Sequence, residues 1–232
     1  MRLIIFGVSN IVGHIFDCAQ ALGFTPSAIV LNTPEVVRPR TKSIYDRIKL
    51  LDQPPRVIQM DQFSPQDGEC YFLGTTAAGR EELAEEVRTR FGIRFCTLLH
   101  PAAWLSPHCT IADGVYVSAH SSIGPGAEIG EHVFVGAKVH IGHDTVVGPY
   151  SRLLSGCNVA GHVQVGYGVT VGMGATIIEE LEIGPEAFIA AGAVVIKDLP
   201  ARVMAAGVPA RYRKSLNVAG IAKRNVISAR HD

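Results

Sequence analysis

The chain has neither an excess of charge of one sign nor a long apolar run. Its 21 basic residues balance 21 acidic residues over 232 positions, so the electrostatic surface that attracts nucleic acid or an anionic membrane is missing. The sequence contains no uninterrupted stretch of about 18 apolar residues, the length that indicates a membrane-spanning helix. The first residues also lack the apolar region and the cleavage site of a signal peptide. These absences predict a soluble, cytoplasmic protein without a nucleic-acid or membrane partner.

Cysteines are few and lack the spacing of metal-binding motifs. There are five, an odd number, scattered along the chain. This distribution favours reduced thiols over a disulfide framework.

The first hundred residues alternate between β-rich and helical patterns. Strand, helix and strand in this order are typical of a small parallel sheet, and the pattern predicts a Rossmann-like α/β unit. The expected strands cover residues 2–6, 28–31, 70–73 and 94–99, and the expected helices cover 11–22, 43–51 and 79–91.

From residue 105 the pattern changes to a period of six. Every sixth residue from Leu105 to Val195 is aliphatic, and the residue four positions later is small or apolar. Glycine directly follows the aliphatic residue in eight repeats, and we expect it to permit backbone angles that other residues resist. Such a repeat predicts a parallel β-helix in which three hexapeptides form one coil of 18 residues.

This spacing places one histidine next to a glycine. His143 is the third residue of its hexapeptide and is therefore expected at a corner, with Gly161 at the same corner one coil later. His162 is likewise expected over Asp144. A histidine that titrates near neutrality can accept the proton that an attacking amine loses, and a fixed backbone amide can stabilise an oxyanion.

The chain resembles the left-handed β-helix acyltransferases, and more narrowly the bacterial nucleotide-sugar N-acyltransferases, a group that includes sialic-acid O-acetyltransferase-like proteins. The resemblance covers about residues 1 to 214. It rests on the Gly7-x-Ser9 turn, Gly74-Thr75-Thr76 with Arg80, Leu99-His100-Pro101, Ile141 to Gly148 with its His-Asp pair, and Gly207 to Arg211.

The resemblance implies a homotrimer that transfers an acetyl group from acetyl-CoA to the amino group of a nucleotide-linked amino-deoxy sugar in bacterial surface-glycan synthesis. His143 would be the general base, Asp144 its orienting partner and Gly161 the oxyanion donor. It also implies two binding sets: Gly161, His162, Met173, Ala191, Gly192, Pro209 and Arg211 for acyl-CoA, and Gly7, Ser9, Asn10, Asn32, Gly74, Thr75 and Arg80 for the nucleotide sugar.

Three positions depart from the pattern of such proteins. Ile11 and Val12 stand where a Gly-His pair is common, Asn32 and Thr33 stand where acidic residues often contact the nucleoside, and Gly136 replaces an asparagine seven residues before the histidine. The acceptor, the nucleotide and the acyl length therefore stay open. Transfer to a sugar hydroxyl is the alternative reaction, and a non-catalytic assembly or nucleotide-sensing module is the alternative of another class.

A metal centre is not expected. Enzymes that resemble γ-class carbonic anhydrases place two histidines of one chain five residues apart, and none of the six histidines between residues 105 and 195 has this spacing. A zinc site also needs three converging ligands and an open position.

We expect three segments along the chain. Residues 1–102 would bind the nucleotide sugar, 103–214 would form the left-handed parallel β-helix, and 215–232 would be a tail. The stretch from residue 35 to 59 is rich in basic residues, and it either contacts phosphate or is a solvated insertion.

Overall fold

The structure, a computed structural model, describes residues 1–33, 35, 37 and 41–216. Most of the expected tail and the positions of Arg38 and Arg40 in the basic segment lie outside these residues.

The first unit is a four-stranded parallel sheet between helices. In the sheet order β3-β2-β1-β4 all neighbours are parallel. The helices are too short to cross a membrane, and none in the described part of the chain has the length and apolar character for it. The elements are β1 (Arg2–Phe6), α1 (Val12–Ala21), β2 (Thr25–Leu31), α2 (Ile44–Ile48), β3 (Arg56–Gln59), a 3-10 turn (Met60–Gln62), β4 (Glu69–Leu73) and α3 (Arg80–Phe91).

The two longer helices cover opposite faces of this sheet. Ile15 and Phe16 of α1 pack with Leu3 on one face, and Leu83 of α3 packs with Phe6 on the other. Because side chains alternate along β1, they contribute to two separate apolar clusters, as expected for a sheet that is buried on both faces.

The fourth strand of this sheet differs from the sequence prediction. Residues 56–59, which carried no strand prediction, pair with β2. Of the predicted strand at 94–99, Phe95 forms a single bridge to Tyr71, and Leu98 pairs instead with Tyr116 in the β-helix. Apolar side chains in residues 94–99 serve two neighbouring sheets, which periodicity alone does not reveal.

The second unit is a triangular coil built mainly of two-residue strands. Most strands pair with the strand 18 residues later, as His140 does with Asn158, whereas Phe188 pairs with Met204, 16 residues later. Three faces result. The covered face, on which the first unit packs, holds β5 (Leu98–Leu99), β8 (Tyr116–Val117), β11 (Phe134–Val135), β14 (Arg152–Leu153), β17 (Thr170–Val171), β20 (Phe188–Ile189) and β22 (Val203–Ala206), with antiparallel β23 (Arg211–Ser215) at its end. The second face holds β6 (Trp104–Leu105), β9 (Ser122–Ile123), β12 (His140–Ile141), β15 (Asn158–Val159), β18 (Thr176–Ile177) and β21 (Val194–Val195). The third face holds β7 (Thr110–Ile111), β10 (Glu128–Ile129), β13 (Val146–Val147), β16 (Gln164–Val165) and β19 (Glu182–Ile183).

The interior of the coil follows the predicted positions. From Ile123 to Val195 the aliphatic residue of each hexapeptide is buried in one continuous cluster. Polar residues at the second inward position are satisfied internally: the Ser121 hydroxyl donates to the Gly136 carbonyl and accepts from the Val139 amide. The six-residue period therefore encodes the core as expected.

The position after the aliphatic residue requires glycine for a different reason from the one predicted. At Gly142 a Cβ would lie 2.5 Å from the Gly161 nitrogen of the next rung, so close approach of backbones requires glycine there. The left-handed backbone angles instead fall two residues later, at Asp144 with φ 55° and at the equivalent position His162 with φ 57°.

The sheet unit packs on the covered face of the coil. Tyr116 and Phe134 point outward from this face, yet both are buried against the core of the first unit, and their rings stack at 5.1 Å. The Tyr116 hydroxyl donates to the His14 carbonyl in α1.

Candidate active site

The corner between the second and third faces carries the chemistry-bearing side chains. We call it the histidine corner; it consists of residues 125–126, 143–144, 161–162 and 179–180 on four successive rungs. Backbone hydrogen bonds hold the rungs in register, since the His162 amide donates to the His143 carbonyl at 2.9 Å. The rung spacing predicted from sequence is therefore present at this site.

His143 and Asp144 form a hydrogen-bonded pair. Nδ1 of His143 lies 3.0 Å from Oδ2 of Asp144, and both side chains are 55% exposed. Because a carboxylate only accepts, Nδ1 carries the proton in the neutral ring and Nε2 carries the lone pair. The atom free to accept a proton is therefore Nε2.

Gly161 lies directly against this nitrogen. A Cβ at Gly161 would be 2.6 Å from Nε2 of His143, so any larger residue would displace the ring. Within the described residues the Gly161 N–H forms no hydrogen bond. The proton-accepting Nε2 of His143 and the free N–H of Gly161 therefore lie side by side at the histidine corner.

Thr145 anchors the turn that carries Gly161 and His162, and the sequence analysis did not single it out. Its hydroxyl donates to the Ala160 carbonyl at 2.7 Å and accepts from the Val163 amide at 3.2 Å. The side chain is buried inside the coil. The signal was present in the sequence, as a polar residue at an inward position directly after the His-Asp pair.

His162 contributes a second imidazole to the corner. Its Nε2 lies 3.9 Å from Oδ2 of Asp144, and its ring meets the His143 ring edge-on at 4.9 Å between centroids. The ligand atoms of His143, Asp144 and His162 lie within 4.8 Å of one another, which is close enough to hold a metal ion. The histidine-only spacing argument did not consider this mixed set.

The residues expected to bind acyl-CoA divide between the two edges of the second face. Gly161 and His162 lie at the histidine corner, whereas Met173, Ala191 and Gly192 lie at the corner between the covered and second faces. Met173 is 58% exposed. Pro209 and Arg211 follow at the end of the coil, where the Ala210 amide donates to the Val194 carbonyl.

Most residues expected to bind the nucleotide sugar lie at the carboxyl ends of the parallel strands, as ligands of open α/β sheets usually do. Two of the expected backbone donors are already engaged: the Gly7 amide bonds Val30 and the Gly74 amide bonds Phe6. The set at this edge is Gly7, Ser9 and Asn10 after β1, Asn32 after β2, and Gly74 and Thr75 after β4.

Arg80 is the first residue of α3 and lines a small cavity together with Thr75 and Thr76 of the loop after β4. It is 7% exposed, and its Nη2 donates to the Tyr150 carbonyl of the β-helix. Burial lowers the pKa of Arg80 to about 9, and the nearby Arg152 adds to the decrease. Its expected role in nucleotide-sugar binding stays a prediction.

Known proteins match both the repeat and the whole architecture. Residues 108–161 match the model of the bacterial transferase hexapeptide, a family of six-residue repeats. A 2,3,4,5-tetrahydropyridine-2,6-dicarboxylate N-acetyltransferase of Clostridium perfringens is 45% identical over 49 residues, which are 21% of this chain and 21% of the relative. The chain spans between a fifth and a third of the length of the curated relatives it matches.

Solved structures extend the likeness to nearly the full chain. PerB of Caulobacter crescentus, crystallised with CoA and GDP-perosamine, is 27% identical with a TM-score of 0.79, covering 92% of this chain and 98% of PerB. The acetyltransferase domain of PglB of Neisseria gonorrhoeae is 21% identical with a TM-score of 0.77, covering 91% and 99%. The predicted resemblance to left-handed β-helix acyltransferases is confirmed, and the coil is a left-handed parallel β-helix.

Proposed function

We propose that this chain transfers an acetyl group from acetyl-CoA to the amino group of a nucleotide-linked amino-deoxy sugar. The observation that carries the proposal is the corner where Nε2 of His143, held by Asp144, lies against Gly161. The likeness to PerB, which was crystallised with CoA and GDP-perosamine, supports the substrate classes. Serving bacterial surface-glycan synthesis in the cytoplasm is part of the same proposal.

In the proposed reaction the amine attacks the thioester carbonyl directly. A C–N bond forms and the C–S bond breaks, while Nε2 of His143 accepts the amine proton and returns it to the leaving thiolate. Asp144 orients the ring and favours the imidazolium. The Gly161 N–H donates to the carbonyl oxygen as negative charge develops on it. No covalent acyl-enzyme is needed.

We assign the two units separate tasks. Residues 1–102 bind the acceptor at the carboxyl edge of the sheet, where Ser9, Asn10 and Asn32 present polar side chains, and residues 103–214 bind the donor. The short distance from Asn32 Oδ1 to the Cβ position of Gly7, 3.7 Å, supports a single compact site at this edge.

A homotrimer completes the donor site in this proposal. Met173 and Ala191 lie at the opposite edge of the second face from His143 of the same subunit. In the proposed trimer these two residues of one subunit therefore lie next to the histidine corner of a neighbouring subunit. Exposed apolar side chains on this face, including Trp104 at 59%, support such an assembly.

The deciding experiment measures free-thiol release from acetyl-CoA against a panel of UDP-, dTDP- and GDP-linked amino sugars, each paired with its hydroxyl counterpart. Turnover with an amine and none with the matched hydroxyl supports the proposal. Preference for the hydroxyl would assign O-acetylation instead. Absence of acyl-CoA binding by calorimetry would indicate a non-catalytic module.

A further inference from the structure

A small cavity lies between α3 and the β-helix, away from the histidine corner. Its volume is about 10 Å³, which is room for one water molecule or an ion of similar size. Polar side chains in its lining are Thr75, Thr76, Arg80, His132 and Tyr116, whose hydroxyl is already bonded to His14, and Gly114 forms part of the wall.

His132 presents an unused donor beside this wall. Its side chain is 4% exposed, and Nδ1 is buried without a hydrogen-bond partner among the described residues. Arg88 Nη2 lies 3.1 Å from Nε2. Because arginine only donates, Nε2 accepts, and the proton of the neutral ring is on Nδ1. A Cβ at Gly114 would lie 2.3 Å from Nδ1, which places this N–H against the cavity wall.

Arg80 brings a buried positive charge to the same cavity. It donates once, through Nη2 to the Tyr150 carbonyl, and its guanidinium lies 5.5 Å from the Tyr150 ring. In the described chain no carboxylate forms an ion pair with Arg80. Glu131 is paired with Arg88 and Glu81 accepts from Tyr167, so the nearest acids are already engaged.

A second, half-buried cation increases this imbalance. Arg152 donates to the Thr76 carbonyl and the Thr170 hydroxyl, which are both neutral acceptors. Burying cations without a counter-charge is costly. A water molecule would satisfy the His132 donor but leave the charge uncompensated, whereas a monovalent anion satisfies both.

We propose that this cavity binds a chloride ion, held by the Arg80 guanidinium and the His132 Nδ1–H between α3 and the β-helix. The ion compensates the buried arginine charge and fixes the first unit on the covered face.

The first test is thermal unfolding at constant ionic strength and pH, with sodium gluconate replaced stepwise by sodium chloride. A ligand that binds only the folded state raises the Tm in a saturable manner. We expect this rise for the natural sequence and its loss in His132→Phe, which keeps the ring packed between Tyr150 and Phe95. His120→Phe is the matched control, because His120 has a similar positive φ of 60° but is exposed; it should keep the chloride response.

The second test locates the ion without any substitution. Crystals of the natural protein grown with sodium bromide should show an anomalous difference peak between Arg80 and His132. A Tm that does not respond to chloride, a response that is equal in His132→Phe, or a cavity peak without anomalous signal would each overturn the proposal, the last by assigning a water molecule.

Discussion

The imidazole of His143 packs on the backbone of Gly161, where a Cβ atom would lie 2.6 Å from Nε2. The contact joins two rungs of the coil and sets the position of the one nitrogen that Asp144 leaves free to accept a proton. Because a larger residue at position 161 would displace the ring, the site requires Gly161 as well as His143.

Gly161→Ala should lower kcat by about 10²-fold, because the methyl group displaces the ring from the amine and a misplacement of about 1 Å has effects of this size. Gly184→Ala is the matched control: there a Cβ would lie 2.4 Å from the Ala201 nitrogen at another corner. We expect the control to lose thermal stability and keep its kcat. Equal kcat losses in both variants would mean that the Gly161 effect is general.

Thr145→Val should reduce both stability and turnover. The substitution keeps the shape but leaves the Ala160 carbonyl and the Val163 amide without a partner, which costs about 1–3 kcal/mol of unfolding free energy. Ser151→Ala removes the equivalent bonds to Gly166 and Val169, away from the histidine corner. Urea unfolding should show a loss in both, and steady-state assays should show a kcat loss in Thr145→Val alone.

Stability should fall on acidification through His132. Burial, with Arg88 and Arg80 adding to it, lowers the His132 pKa from 6.5 to about 4. Between these two values the unfolded chain binds a proton that the folded chain does not, so the free energy of unfolding decreases as pH falls from 6.5 to 4, by roughly 3 kcal/mol.

The measurement is urea unfolding across this pH window in a chloride-free buffer. His132→Phe should lack most of the slope, while His120→Phe retains it. An unchanged slope in His132→Phe would show that other groups cause the acid sensitivity.

Metal removal should leave the reaction intact. In the proposed mechanism the lone pair of His143 accepts a proton, so a metal at His143, Asp144 and His162 would compete with the base. We expect full turnover after dialysis against a chelator and inhibition by added Zn²⁺, which His162→Gln should weaken. Loss of activity on chelation, restored by the metal, would require a metal-dependent mechanism.

The six-residue period was sufficient to predict the coil, its core and the rung contact between His143 and Gly161. It failed where a residue serves contacts outside its own repeat. Position 142 requires glycine because the backbone of the next rung lies so close, and not because of the backbone angles of Gly142 itself. The sequence period does not indicate this distance between rungs. The one available clue to the docked unit was the pair Tyr116 and Phe134, outward-facing aromatic residues 18 positions apart.

The polar interface between the units was not predictable from sequence. Arg80 and His132 lie 52 positions apart in the numbered chain and belong to different units, so only the packing of α3 on the coil brings them to one cavity. The resemblance assigned Arg80 to the nucleotide-sugar site, and this assignment stays a prediction. The burial of Arg80 could be seen only once both units were placed.

The most direct test of the central claim is acetyl transfer by His143→Asn, measured as thiol release with the best amine acceptor of the panel, in protein whose Tm and assembly match the natural sequence. Loss of a general base should lower kcat by about 10²–10⁴-fold with little change in acetyl-CoA binding. A kcat within a few-fold of the natural protein would contradict the account.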